Sequence, residues 1–203
     1  MAAVAQESPV RIAVLVGSIR TDRFCPTPAQ WIADQAAKTD GVEVDLIDLA
    51  DHQCPAVLNG NDPDVVLPES VRALGERLDR ADAFIVVSPV YNRSYPAALK
   101  NAVDWFYSEW QLKPVGLVSY GGITGGLHAI EHLRGVFGEF NAVVLRDSIM
   151  FANFWDKFDH DGRPVDTENT DKLATSLIDQ LTWWSRSLRE AKQRREYPGS
   201  GIE

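Results

Sequence analysis

The chain has 203 residues, 24% charged and 45% hydrophobic, with a formal net charge of −9. That make-up fits one soluble α/β domain with a full core, and the excess of acid argues against nucleic acid or an anionic membrane surface as partner. No apolar run approaches a membrane span, the first eight residues lack a signal-peptide n-region, and Cys25 and Cys54 form no CxxC pair or zinc spacing, so a reduced, cytoplasmic protein is expected.

Val10 to Val16 (VRIAVLV) reads as a strand buried on both faces. It runs into Gly17-Ser18-Ile19-Arg20-Thr21-Asp22-Arg23-Phe24-Cys25-Pro26-Thr27-Pro28, and a helix follows over about 28–38, with Thr27 as N-cap and Pro28 at the first helical position. A strand–turn–helix of this kind aims a helix N-terminus at an anion. Gly17 allows close backbone approach, Ser18 offers a hydroxyl, and Arg20 and Arg23 offer planar guanidinium forks suited to phosphate. Pro26 and Pro28 lack amide donors, so side chains carry more of the load here. Val42 to Leu49 alternates like an edge strand. Residues 50–67 form a long loop, functional or a subunit contact. A helix over about 68–80 carries Val71, Leu74 and Leu78 on one face.

Phe84-Ile85-Val86-Val87 is the central strand, and it breaks into the polar loop Ser88 to Tyr95 before Pro96 opens a helix. That loop lies at a strand's C-terminal end, where open α/β sheets bind ligands. The next helix turns Ala98, Ala102, Val103 and Phe106 towards the core. The aromatic segment 104–110 reads as core or subunit interface rather than a cofactor platform. Lys113 to Ser119 is the fourth strand, and Tyr120-Gly121-Gly122-Ile123-Thr124-Gly125-Gly126 lets backbone press against a flat ligand. A helix over about 126–140 buries Ile130, Leu133, Phe137 and Phe140. His128, Glu131 and His132 miss the HExxH pattern and read as a solvated face. The fifth strand lies within 142–149. Residues 157–168 mimic an EF-hand loop, but Lys157 occupies the first acidic position, which excludes calcium. Thr167 to Arg189 is the last helix, with Leu173, Leu177, Leu181, Trp184 and Leu188 as its apolar stripe. Strands and helices alternate throughout, so a single domain over 10–190 with flexible tails at 1–9 and 193–203 is expected.

Pro89-x-Tyr91-Asn92, followed by Tyr95-Pro96-Ala97-Ala98-Leu99-Lys100-Asn101-Ala102-x-Asp104-Trp105, resembles the flavin loop of the NADPH-dependent FMN reductase family. Gly17-Ser18-x-Arg20 resembles that family's phosphate loop, and Ser119-Tyr120-Gly121-Gly122 its third flavin contact. The resemblance covers roughly 10–190. It implies a flavodoxin-like α/β fold, a five-stranded parallel sheet of order 2-1-3-4-5 with helices on both faces. It also implies bound FMN held by Gly17, Ser18, Arg20, Arg23, Phe24, Pro89, Val90, Tyr91, Asn92, Arg93, Ser119, Tyr120, Gly121 and Gly122. Val90 stands where the family usually has Glu, and Arg93 where it often has a small residue, so the loop is more positive than the common pattern.

The implied activity is hydride transfer from NADPH or NADH to FMN and then to a small-molecule acceptor: a quinone, free flavin, azo compound or metal oxyanion. Ping-pong kinetics are expected, with no catalytic acid or base and no metal, because the flavin carries the chemistry. The alternative is an FMN-binding electron carrier or redox sensor without nicotinamide turnover. Flavodoxin proper has a Thr/Ser-rich phosphate turn, however, and Gly17-Ser18-Ile19-Arg20 differs from it. The resemblance also implies a homodimer or homotetramer.

Overall fold

The computed structural model describes residues 8–58 and 66–198. Five strands, β1 (Val10–Val16), β2 (Val42–Asp48), β3 (Ala83–Pro89), β4 (Pro114–Gly121) and β5 (Val143–Ala152), form one parallel sheet in the order β2-β1-β3-β4-β5. Every residue of β3 and β4 is buried. Their unbroken apolar runs match central strands covered on both faces, whereas β2 exposes Glu43 at an edge.

Side chains alternate across the sheet and divide the core in two. Ile12, Val14, Ile85, Val87 and Val118 face α1 (Pro26–Ala37) and α5 (Thr167–Arg194). Ala13, Leu15, Phe84, Val86 and Leu117 face α2 (Glu69–Arg80), α3 (Ala97–Asp104) and α4 (Leu127–Glu139). Burying Trp110 completely, 4.7 Å from the Phe84 ring and 5.5 Å from Phe137, takes the heart of the aromatic segment into this second core. Phe106 is buried as well, and of the aromatic residues of that segment only Tyr107 is largely exposed.

One helix start and two helix faces differ from expectation. The first helix starts at Pro26 with Cys25 at the cap, two residues early. The Thr27 amide already donates to the Phe24 carbonyl at 3.0 Å, and both prolines fall in the first turn, where no amide is required. The buried face of α5 is Ala174, Leu177, Ile178, Leu181, Thr182 and Ser185, leaving Leu173 exposed. The stripe is turned because α5 docks over Gly116, where a Cβ would lie 3.2–3.3 Å from Leu181 and Leu177. In α3 the core face takes Leu99 rather than Ala98.

The helix α5 also runs to Arg194, so residues 193 and 194 belong to it rather than to a tail. Ser8 and Pro9 are bound through their carbonyls to Arg189, at 2.9 and 3.1 Å. The rest of the expected N-terminal tail and residues 199–203 lie outside the described residues, as do 59–65 of the long loop. Among the described residues no helix is long and apolar enough to cross a membrane.

Candidate flavin site

The C-terminal ends of β1, β3 and β4 are adjacent because β1 pairs with β3 and β3 with β4. The three loops singled out in the sequence leave from these ends, so the topology brings them to one crevice. Gly17 makes the first junction: its amide donates to the Val87 carbonyl at 2.8 Å. A Cβ there would sit 2.7 Å from that oxygen, so only glycine fits. Ser18 is fully buried, and its hydroxyl shares a 2.8 Å hydrogen bond with the Tyr91 hydroxyl of the central loop. Arg20 is exposed with its guanidinium 5.6 Å from the Tyr91 ring centroid. It pairs with no carboxylate among the described residues.

Arg23 and Phe24 differ from their neighbours. Arg23 is ion-paired with Asp48 at the end of β2, while its Nε is buried without a partner. Its charge is therefore largely answered within the protein. Phe24 packs against Phe154 at 4.8 Å and against Tyr120 and Phe158 at 5.3 Å, which makes it a wedge under the loop. The Cys25 thiol donates to the Val87 carbonyl at 3.3 Å, and burial pushes its pKa up to about 12, so it is an inert strut.

The central loop is a hairpin. The Tyr91 amide donates to the Ser94 carbonyl at 2.7 Å and the Ser94 amide to the Tyr91 carbonyl at 2.9 Å. Between them Asn92 and Arg93 have φ of 48° and 68°. Two left-handed central residues make a type I′ turn, which Asn tolerates and glycine ordinarily completes. An arginine in that conformation costs about 1–2 kcal/mol. The turn is held from both sides, by Ser18 on Tyr91 and by a 2.9 Å contact between Ser94 Oγ and His132 Nδ1 on α4. Pro89 closes β3 and is buried; Val90 is half-buried, its amide donating to the Tyr120 carbonyl at 3.1 Å.

The third loop is fixed by Ser119, whose hydroxyl donates to the Ser88 carbonyl at 2.6 Å. Gly126, with φ of 99°, covers that hydroxyl so closely that a Cβ would lie 2.0 Å from it. Tyr120 is buried, and burial raises its phenol well above the usual range, so it stays neutral. Gly121 is buried against Val90, and Gly122 anchors the outer turn by accepting from the Gly125 and Asn153 amides. Asp48, His132 and Asn153 complete the supporting structure. No sequence motif marked them, because they come from β2, α4 and the end of β5.

These residues fit FMN. The first loop offers a buried hydroxyl, an arginine without a carboxylate partner, the orphaned Nε of Arg23 and an α1 N-terminus with no side-chain cap and no acid in its first turn. With Pro26 and Pro28 in its first turn and the Thr27 amide already bonded to Phe24, α1 offers its dipole rather than free amides, so the side chains carry the fit to a phosphate. The backbone of 89–91 and 119–122, with a glycine at the buried position 121, suits a flat ring.

Fold and crevice together define a flavodoxin-like α/β protein built to hold a flavin nucleotide at its switch point. Residues 10–156 match the family model for NADPH-dependent FMN reductase. The chain is 38% identical over 189 residues to an NAD(P)H-dependent FMN reductase of Schizosaccharomyces pombe, covering 90% of this chain and 86% of that one. It is 32% identical over 187 residues to a 2-hydroxy-1,4-benzoquinone reductase of a Burkholderia species, covering 89% and 98%. Among solved structures, the flavoenzyme NAD(P)H:(acceptor) oxidoreductase FerB from Paracoccus denitrificans superposes with a TM-score of 0.69 at 27% identity, covering 88% and 98%. The chain belongs to the NADPH-dependent FMN reductase family. It is an oxidoreductase whose flavin is FMN and whose reductant is NAD(P)H.

Proposed function

We propose that the protein is an NAD(P)H:quinone-type oxidoreductase in which reductant and acceptor occupy the same crevice in turn. The observation that carries this reading is the knitting of three strand-end loops by cross-loop bonds, Ser18 to Tyr91, Ser119 to Ser88 and Val90 to Tyr120. Such bonds hold a flat ligand rigidly and add no proton-transfer machinery. Bound FMN would supply the two-electron chemistry that links the nicotinamide to the acceptor. The chain's part is to bind and orient. Ser18, Arg20 and the α1 N-terminus hold the phosphate, and Gly121, Gly122 and residues 89–91 support the ring. Cys25 and Tyr120, the titratable groups buried beneath it, stay neutral at physiological pH and take no proton. The relative from Burkholderia, named for a quinone substrate, supports the quinone class.

Steady-state rates measured while NADPH is varied at several fixed concentrations of a neutral quinone are expected to give parallel double-reciprocal lines. Intersecting lines would overturn the shared-crevice reading. A bound flavin that NADPH and NADH fail to reduce would favour the electron-carrier alternative.

The working unit we propose is a homodimer or homotetramer. A cleft of about 510 Å³ beside Ile19 is lined by Leu49, His52, Cys54, Ala97 and Asn101, and its Ala56 border leads on to the exposed Val57 and Leu58. Asn101 and Trp105 tie this border to α3 through the carbonyls of Cys54 and Pro55, at 2.8 and 2.9 Å. Apolar groups held in place in this way suit an interface. A monomer in light scattering at micromolar concentration would reject it. The two thiols, neither in a disulfide, favour a reducing compartment such as the cytoplasm.

A further inference from the structure

The crevice carries one cation that the binding of FMN phosphate does not require. Arg93 sits at the tip of the type I′ turn that follows β3, beside the phosphate loop that leaves the adjacent strand β1. Its exposed side chain pairs with no carboxylate among the described residues, in a chain whose net charge is −9. The turn that carries it is pinned at both ends, by the Ser18–Tyr91 hydroxyl pair at 2.8 Å and by Ser94 on His132 at 2.9 Å. The backbone at Arg93, with φ of 68°, adopts a conformation that an unbranched glycine would take without strain. A strained residue on a rigid mount is characteristic of functional sites. Its neighbour Val90 is half-buried against Gly121 and brings no charge of its own.

Resting on the quinone-reductase reading above, we propose that Arg93 is a specificity-determining residue that selects anionic acceptors: quinones or similar aromatics bearing a carboxylate, a sulfonate or an ionised hydroxyl. The dinucleotide has an adenosine and several phosphates with which to bind. A small acceptor has only its ring and its substituents, so a single well-held guanidinium decides its selectivity. In the net reaction NAD(P)H and one proton convert the quinone to the hydroquinone, a two-electron reduction. The anionic substituent is unchanged, and Arg93 acts by attraction and orientation alone.

The test isolates the second half-reaction. Holoenzyme is reduced with one equivalent of NADPH and mixed in a stopped-flow instrument with 1,4-naphthoquinone or its 2-sulfonate. The readout is the ratio of second-order rate constants, sulfonate over neutral quinone. In Arg93→Gly this ratio is expected to fall by about fivefold to tenfold at low ionic strength, the scale of charge steering by one group. The fall should shrink in high salt, and Arg93→Lys should restore much of the ratio. A ratio unchanged within about twofold in Arg93→Gly at low salt, with both quinones still reoxidising the enzyme, would overturn the role of Arg93. Reoxidation by neither quinone in the unmutated protein would instead overturn the quinone-reductase reading itself.

Discussion

The two ends of the sheet use their cations in opposite ways. At the N-terminal end of the strands, positive groups are bound inside the protein. Lys113 is buried before β4, donating to the Leu78 and Asp79 carbonyls at the end of α2 at 2.9 and 3.0 Å and lying 5.4 Å from the Phe84 ring centroid. Arg189 holds Asp82 at 2.6 Å together with the carbonyls of Ser8 and Pro9. At the C-terminal end, of the three arginines on the crevice loops, Arg23 is paired with Asp48, while Arg20 and Arg93 are exposed and have no carboxylate partner among the described residues. One end turns charge into structure. The other keeps charge for anions that arrive from outside, which resolves how a chain of net charge −9 can serve FMN and NAD(P)H.

The sharpest break in this contrast comes from glycine. At the crevice, Gly126→Ala would push a methyl to 2.0 Å from the Ser119 hydroxyl at φ of 99°. Overpacking and a left-handed alanine together should cost about 3–4 kcal/mol and release the Ser119 bond to Ser88. Gly138→Ala, near the end of α4 where nothing lies within 4 Å, should instead stabilise by about 0.5–1 kcal/mol. Urea unfolding of both variants checks the pair. A loss under about 1 kcal/mol for Gly126→Ala would mean that the third loop yields freely.

The far end makes its own prediction in pH. Burial lowers the Lys113 pKa from 10.5 to about 8. Between those values the unfolded chain holds the proton and the native state does not, so stability rises with pH. The penalty for keeping Lys113 charged is present below about pH 8 and relieved above it. From pH 7 to 9.5 the wild type should gain about 2 kcal/mol relative to Lys113→Met. Parallel pH profiles for the two proteins would contradict this. Activity at saturating FMN should not track that gain, because Lys113 lies at the opposite end of β4 from the crevice.

The sequence made the crevice legible and the far end almost illegible, for a physical reason. Loops at strand ends that bind a cofactor use contiguous residues, so Gly17 to Arg20, Pro89 to Arg93 and Ser119 to Gly122 stand out as short runs. The strand order follows from alternating strands and helices together with the family resemblance. Lys113 with Leu78, or Arg189 with Asp82, joins residues 35 and 107 positions apart, and nothing local marks such pairs. The same blindness explains Arg23. Beside Arg20 in the sequence it reads as an equal phosphate ligand, but Asp48 comes from a different strand and holds it. Helix faces suffered in a milder way. In α5, both Leu173 and Ala174 fit an apolar period, and only Gly116 beneath the helix decides which turns inward.

A smaller effect separates the two free arginines from the paired one. Removing a charged hydrogen-bond donor to phosphate should weaken FMN binding by about tenfold in Arg20→Ala, more strongly at low salt than at high. Titration of apoprotein with FMN, followed by fluorescence quenching, measures it. Arg23→Ala should act differently, since its guanidinium is already answered by Asp48. Its cost should appear mainly in stability, and Asp48→Asn should reproduce part of it. Equal losses of FMN affinity in Arg20→Ala and Arg23→Ala would erase the distinction.

The smallest effect is the most diagnostic of the contrast, because it concerns stability gained at the functional end. Arg93 has φ of 68° in a turn whose other central residue, Asn92, has φ of 48°. Replacing an ordinary side chain by glycine there relieves about 1–2 kcal/mol of left-handed strain. Against it stands the larger entropy of a glycine in the unfolded chain, about 0.5–1 kcal/mol. Arg93→Gly should therefore be more stable than wild type by roughly 0.5–1 kcal/mol. Arg93→Asn, whose side chain tolerates this region, should gain less, and Arg93→Ala, which keeps the strained Cβ, should gain nothing. That ordering, Gly above Asn above Ala, can be read from denaturant midpoints at constant m-value. If alanine stabilised as much as glycine, the cost would lie in the charge or length of arginine rather than in its backbone. The ordering as expected would mean that the chain tolerates a strained arginine at its crevice although glycine would fold better, whereas at the opposite end Arg189 is held by Asp82 and serves the fold.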